Sequence, residues 1–155
     1  VTLSIRAYEA GDLPALIELF RGAVRGVAAR DYTPAQILAW APDDLEADDW
    51  LPRLAAKRTW VARIAGEPMG FSDLEADGHI DMMFVHAGHQ GQGIATRLLA
   101  TVEAAARAAG LPRLHTEASI TARPFFARRG FTVITAQSVS LGDQQLTNYR
   151  MEKFL

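Results

Sequence analysis

Apolar residues recur along this chain in two rhythms, one of period two and one near 3.6, and the changes of rhythm divide it into elements. Residues 2–8 alternate, with Leu3, Ile5 and Ala7 on one face, which predicts a strand. Leu13, Leu16, Ile17, Phe20 and Val24 then follow at helical spacing behind Asp12, an expected N-cap, and Pro14, which a first turn tolerates. Thr33-Pro34 opens a shorter helix carrying Ile37, Leu38 and Trp40 and closed by Pro42, and a third helix is expected from near Asp49 to about Arg58. The middle of the chain returns to period two. Thr59–Ile64 and Met69–Glu75 flank a turn at Gly66-Glu67, and the strand His79–His86 follows a turn at Ala76-Asp77-Gly78. On that strand the alternation puts Ile80, Met82 and Phe84 on one face and Asp81, Met83 and Val85 on the other. Ile94, Leu98, Leu99, Val102, Ala105, Ala106 and Ala109 form the clearest amphipathic helix, ended by Gly110 with Pro112 beyond. A strand at Arg113–Ser119, a short helix capped by Thr121 and ended by Gly130, and an antiparallel pair at Phe131–Gln137 and Gln144–Phe154 complete the order. Strands interleaved with helices in this order predict a mixed α/β fold, one domain over residues 1–155.

Composition narrows what such a domain does. Hydrophobic residues make up 49% and charged residues 22%, enough for a buried core. The net charge of -2 offers no overall field for nucleic acid. No apolar run approaches the roughly 20 residues of a membrane span, so no membrane partner is expected. The start, Val1-Thr2-Leu3-Ser4-Ile5-Arg6, reads as a strand and not as a signal peptide. There are no cysteines, which excludes disulfides and thiolate chemistry and fits a cytoplasmic protein.

Candidate chemistry concentrates between the His79–His86 strand and the amphipathic helix, at Val85-His86-Ala87-Gly88-His89-Gln90-Gly91-Gln92-Gly93-Ile94-Ala95. Unpaired N–H groups and the helix dipole at such a junction favour an anion, and glycines let a phosphate approach the backbone. A loop that only turns the chain would look similar. A P-loop requires Lys-Ser/Thr after its last glycine, where this chain has Ile94-Ala95. A dinucleotide fingerprint requires a third glycine or alanine where this chain has Thr96. His86 and His89, without a thiolate nearby, are weak as metal ligands, and no metal is expected.

Gln90-x-x-Gly93-x-Ala95 resembles the pyrophosphate motif Q/R-x-x-G-x-G/A of the GNAT superfamily of acyl-CoA-dependent N-acetyltransferases, in its usual place before a helix. Ser119-x-x-Ala122-x-x-Phe125-Phe126-x-x-x-Gly130-Phe131 is similar to the family segment N-x-x-A-x-x-L/F-Y-x-x-x-G-F, and Trp60-Val61-Ala62…Met69-Gly70-Phe71 resembles its second and third strands. The resemblance is to a small, stand-alone, bacterial-type member and covers nearly the whole chain. It implies a mostly antiparallel sheet of about seven strands, splayed between the fourth and fifth, flanked by helices, with acetyl-CoA as cosubstrate in the gap. The backbone of Met83, Phe84 and Val85 would pair with the pantetheine arm. Gln90, Gly91, Gln92, Gly93, Ile94, Ala95 and Thr96 would form the pyrophosphate loop, with Ser119, Ala122, Phe125 and Phe126 lining the cofactor from the other side.

The implied reaction is direct attack of a primary amine, on a small molecule or peptide, upon the thioester. The Val85 N–H is the candidate to polarise the carbonyl. Asp81, facing the same side as Val85 but four residues away, and Glu117, on the next strand, are alternative general bases. Either would equally serve as a structural carboxylate. The family's tyrosine that protonates the leaving thiolate is replaced here by Phe126, and its asparagine by Ser119, which leaves Tyr149, Ser119 or solvent. Asp31, Tyr32 and Trp40 are candidate acceptor contacts. A catalytically silent CoA-binding module is the competing reading, and a monomer and a homodimer fit equally.

Overall fold

In the computed structural model, which describes residues 2–155, the strand expected over His79–His86 is two strands. The element order is β1 (Leu3–Ala7), α1 (Leu13–Gly26), α2 (Pro34–Trp40), α3 (Ala47–Ala55), β2 (Arg58–Ile64), β3 (Glu67–Leu74), β4 (His79–Ile80), β5 (Met83–Val85), α4 (Ile94–Ala108), β6 (Arg113–Ser119), α5 (Arg123–Arg128), β7 (Thr132–Leu141) and β8 (Gln144–Phe154). Strands β1-β2-β3-β5 form one four-stranded sheet and β4-β6-β8-β7 another. All pairs are antiparallel except β4–β6. Val1, part of the expected N-terminal strand, lies outside the described residues.

One extra residue makes the division. Ser72 of β3 stands opposite Met83, while three residues further on the Glu75 N–H donates to the His79 carbonyl, four residues back along the facing chain. The facing chain therefore carries a β-bulge at Asp81-Met82, and a bulge turns the strand and inverts the faces beyond it. Ile80 packs with the α4 side of the sheet, whereas Met82 and Phe84 pack with α1–α3. The expected common face of Ile80, Met82 and Phe84 is thus corrected, and so is that of Asp81 with Val85. His79 and Ile80 pair in parallel with His115 and Thr116. Beyond them β5 keeps β3 as its partner while β6 keeps β8, so the two sheets part.

The bulge is held by polar groups that the ladder would otherwise leave unpaired. Both carboxylate oxygens of Asp73, fully buried, accept from the N–H groups of Asp81 (2.8 Å) and Met82 (3.1 Å). Ser72 Oγ donates to the Met82 carbonyl at 2.9 Å and Thr116 Oγ1 to the Ile80 carbonyl at 2.8 Å. Lys57 Nζ, its side chain 2% exposed, bridges Asp73 at 2.9 Å and Asp81 at 2.8 Å.

Two apolar cores sandwich this framework. On one side α1 buries Leu13, Leu16, Ile17, Phe20 and Val24 against Val61, Phe71 and Met82. On the other α4 buries Ile94, Leu98, Leu99 and Val102 against Trp60, Leu114 and Met151. Each such side chain contributes about 1.5–3 kcal/mol on burial. A Cβ at Gly70 would stand 3.0 Å from Ile94 Cγ2 and 3.2 Å from Leu98 Cδ1, so glycine lets α4 press directly on β3. Asp12 does not cap α1 as expected. Its carboxylate takes two bonds from Arg6 (2.7 and 2.8 Å) and one from the Glu9 N–H, and the Arg6 bond foremost holds its pKa down. Thr33 does cap α2, in a reciprocal box with Gln36. Thr121 caps nothing: its hydroxyl bonds Asp31 at 2.6 Å, and Ser119 Oγ instead receives the Ala122 N–H, at 3.0 Å, where the chain turns into α5.

Candidate active site

The glycine loop leaves β5 and closes on α4 with no side chain capping the helix. Gly91 (φ 74°) and Gly93 (φ 81°) adopt the left-handed region, and a Cβ at either would meet nothing within 4 Å. The backbone there turns without side chains, and the first N–H groups of α4, a 15-residue helix, open onto a cavity of about 530 Å³. Gly91, Gly93, Ala95 and Thr96 line it from the loop, and Ser119, Ala122, Phe125 and Phe126 from across the split. Ile94 lines it too, while anchoring the helix with only 2% exposure. Gln92 is turned aside, its Oε1 3.1 Å from His89 Nδ1, and it does not line the cavity. His86 Nδ1 accepts from the Gly88 N–H at 2.9 Å, so both loop histidines are engaged in shaping the loop.

Gln90 has a definite task. Its Nε2 donates to the carbonyls of Val85 (2.9 Å) and His86 (3.2 Å), tying the loop to the end of β5. The His86 N–H donates to Met69 O across the β3–β5 ladder. By the alternation of an antiparallel pair, the N–H groups of Val85 and Met83 therefore point away from β3, into the split. Gln90 occupies the Val85 carbonyl and leaves the Val85 N–H as a donor there.

A second cavity, of about 350 Å³, lies on the α1–α3 side and meets the first at Trp40, Met83, Phe84, Ser119, Ala122 and Phe126. Its wall is a run of edge-on aromatic rings: Tyr32–Trp40 at 5.6 Å, Trp40–Phe84 at 6.4 Å, Phe84–Phe20 at 5.0 Å and Phe20–Trp50 at 5.2 Å between centroids. Tyr32 lines it, but the hydroxyl is committed, donating to Thr147 O at 2.6 Å and accepting from the Ile120 N–H at 2.9 Å. Asp31 lines neither cavity and is bound to Thr121.

The two candidate bases, Asp81 and Glu117, both line this second cavity. Asp81 is bound by Arg53 (2.9 Å) and Lys57 (2.8 Å). Burial pushes its pKa up, but the two cations outweigh that and hold it below the usual carboxylate value. Glu117 lies 2.8 Å from His79 Nε2, and His79 Nδ1 lies 2.8 Å from Glu75. This sandwich between carboxylates, with the Glu117 bond foremost, raises the His79 pKa to about 9 against the opposing effect of burial. His79, stacked on His115 at 5.1 Å, and Glu117 also bring ligand atoms within 4.8 Å of one another. At neutral pH, however, His79 carries a proton on each nitrogen, which a metal would have to displace.

A family model described as an acetyltransferase (GNAT) domain matches residues 28–153. The chain belongs to the GNAT acetyltransferase family. It is 36% identical over 149 residues, covering 96% of the chain and 94% of the relative, to the uncharacterized N-acetyltransferase YafP of Escherichia coli (strain K12). A GCN5-related N-acetyltransferase structure from Rhodopseudomonas palustris superposes with a TM-score of 0.95 at 32% identity, covering 100% of this chain and 97% of that one. The PaiA N-acetyltransferase of Thermoplasma acidophilum, solved in complex with coenzyme A, shares the fold over 100% of both chains, with a TM-score of 0.80 at 18% identity.

Within this acetyltransferase Phe126, which takes the place of the tyrosine in the segment the sequence resembles, is 4% exposed and lies at the junction of the two cavities. Tyr149 lines neither cavity. It faces the α5 side under Arg123, whose guanidinium carbon sits 4.4 Å from the ring centroid. The sequence reading missed Asp73 and Lys57, because a single aspartate in an alternating strand looks like a solvent-facing position. It also missed Asn148, on β8 opposite Ser119, which lines the second cavity with a buried side-chain oxygen that has no partner. Among the described residues no helix is long and apolar enough to cross a membrane.

Proposed function

We propose that the protein transfers an acetyl group from acetyl-CoA to a primary amine in a ternary complex. The observation that carries this is the meeting of two cavities at the split between β5 and β6, one entered past an uncapped helix N-terminus and the other walled by aromatic rings and two carboxylates. A split of this kind brings a donor and an acceptor face to face. The coenzyme A in the Thermoplasma PaiA structure and the acetyl-CoA in the YncA structure from Salmonella typhimurium support the choice of donor.

The N–H groups of Gly91, Gly93, Ile94, Ala95 and Thr96 receive the pyrophosphate. Met83 and Val85 offer their free backbone edge to the pantetheine amides as an added strand would. The Val85 N–H, kept available by the bond of Gln90 to the neighbouring carbonyl, polarises the thioester carbonyl, a role that can be worth about 2.7–4 kcal/mol. Glu117 receives the proton that the acceptor ammonium must lose, and His79 shares its charge. Asp81, already held by two cations, serves structure. The amine nitrogen bonds to the carbonyl carbon, the carbon–sulfur bond breaks, the nitrogen releases its second proton to solvent, and the thiolate takes a proton from solvent or from the Ser119 hydroxyl at the junction of the cavities, since Phe126 and Tyr149 offer none.

Free-thiol release from acetyl-CoA over a panel of amines tests this, run beside Gly93→Trp and a calorimetric titration with CoA. Turnover abolished by Gly93→Trp is the expected result. CoA binding without turnover across the panel would favour the silent CoA-binding module, and absence of CoA binding would overturn both.

A further inference from the structure

Granted the acetyl-transfer reading, the second cavity also specifies the class of acceptor: we infer that it takes a compact arylalkyl primary amine with a single positive charge, seated between the aromatic wall and the paired oxygens of Glu117 and Asn148. The size sets the first limit. About 350 Å³ matches one ring and a short alkyl arm more closely than an aminoglycoside.

The wall sets the second. Trp40, Phe84, Phe20 and Trp50 stand edge-on to one another with centroids 5.0–6.4 Å apart, so a flat apolar body finds ring faces and edges to pack on. Leu45, Val139 and Leu146 complete the apolar lining. A polar body laid on this wall would lose its water without replacement.

Charge sets the third. Two carboxylates face the cavity, but Asp81 is consumed by Arg53 and Lys57. Glu117 retains lone pairs beyond those it gives His79. One anionic group is therefore left for one ammonium, and a second cationic group on the acceptor would meet Arg53. The Asn148 side-chain oxygen is the remaining clue. It is buried and unpartnered at the cavity wall, and a buried acceptor without a donor is costly unless something binds it. An ammonium has three N–H donors, enough for Glu117 and Asn148 together.

The test compares phenethylamine and tryptamine with spermidine, a lysine peptide and kanamycin, by thiol release and by calorimetry on the CoA-loaded protein. The arylalkylamines are expected to exceed every other acceptor at least tenfold in kcat/KM. They should bind at least tenfold more tightly than the corresponding neutral alcohols. Asn148→Ala is expected to raise their KM about tenfold and leave CoA binding unchanged, and Asn148→Asp to restore binding of the cation. Preference for spermidine, the peptide or kanamycin would overturn the inference, and so would failure of any arylalkylamine to bind protein that still binds CoA. Loss of CoA binding itself would instead overturn the transferase reading.

Discussion

Replacing Lys57 with methionine removes the cation that neutralises Asp73. The lysine side chain is 2% exposed and the aspartate not at all, so water cannot take over the lost partner. Removing one member of a buried pair costs about 3–5 kcal/mol. For a chain of 155 residues that corresponds to a fall in Tm of roughly 6–20 °C. Urea denaturation should show the midpoint falling by about 1.5–2.5 M with the slope unchanged. The pH dependence adds a second readout. Burial pushes the Asp73 carboxyl above its ordinary value of 3.8, chiefly against the pull of Lys57. Without Lys57 the folded chain keeps that proton over a range where the unfolded chain has released it. Stability of the variant therefore falls as pH rises above about 4, until the buried carboxyl ionises. Adding Asp73→Asn to Lys57→Met should recover roughly 1–2 kcal/mol, because the orphaned charge is gone. A loss below about 1 kcal/mol in Lys57→Met, or no recovery in the double variant, would refute the account of the buried pair.

Three further outcomes follow from the same geometry. His79→Gln should cost about 1 kcal/mol, since Glu75 and Glu117 are 38% and 39% exposed and solvent screens the pair. Because the His79 pKa is raised from 6.5 to about 9, that difference is fully present below pH 6.5 and disappears as pH rises through 9, which thermal melts across pH would show. Gly78→Ala should lower stability by at least about 2 kcal/mol, because the residue sits at φ 94° and the new methyl would be driven into the Arg113 carbonyl oxygen; an unchanged Tm would contradict this. Gln90→Ala frees the Val85 carbonyl and loosens the loop, so CoA affinity should fall about tenfold by calorimetry while thermal stability changes by less than about 1 kcal/mol.

Most elements were legible because their periodicity is strong and their boundaries carry glycine, proline or a cap. The strand Arg113–Ser119, the strand Gln144–Phe154 and the start of α4 at Ile94 fall where the pattern places them. The bulge did not show, for a specific reason. Ile80, Met82, Met83, Phe84 and Val85 are all apolar, so an inserted residue changes which face each takes without disturbing the pattern. Its supporting groups, Asp73, Ser72 and Lys57, come from elements whose proximity only the fold creates. The adjacent polar pair Ser72-Asp73 inside a strand with buried neighbours was the available signal. The cofactor loop was readable because its function depends on backbone and glycine, which a motif records. Asn148 and the bond of His79 to Glu117 depend on side chains brought together across strands 29 and 38 residues apart, which no local spacing encodes.

The bulge at Asp81-Met82 can be thought of as an edge dislocation in a crystal: a half-row of lattice ends inside the material, and the layers on either side cannot close over it. Such a defect does not anneal when the atoms around it are exchanged. It leaves only when the extra row is taken out or slides to a free boundary. Side-chain replacement along β4 and β5 therefore tunes the crevice but preserves its existence. Deleting a single residue at Asp81 or Met82 is the change that would let the two sheets knit into one unbroken surface, with no room left for a donor and an acceptor to meet.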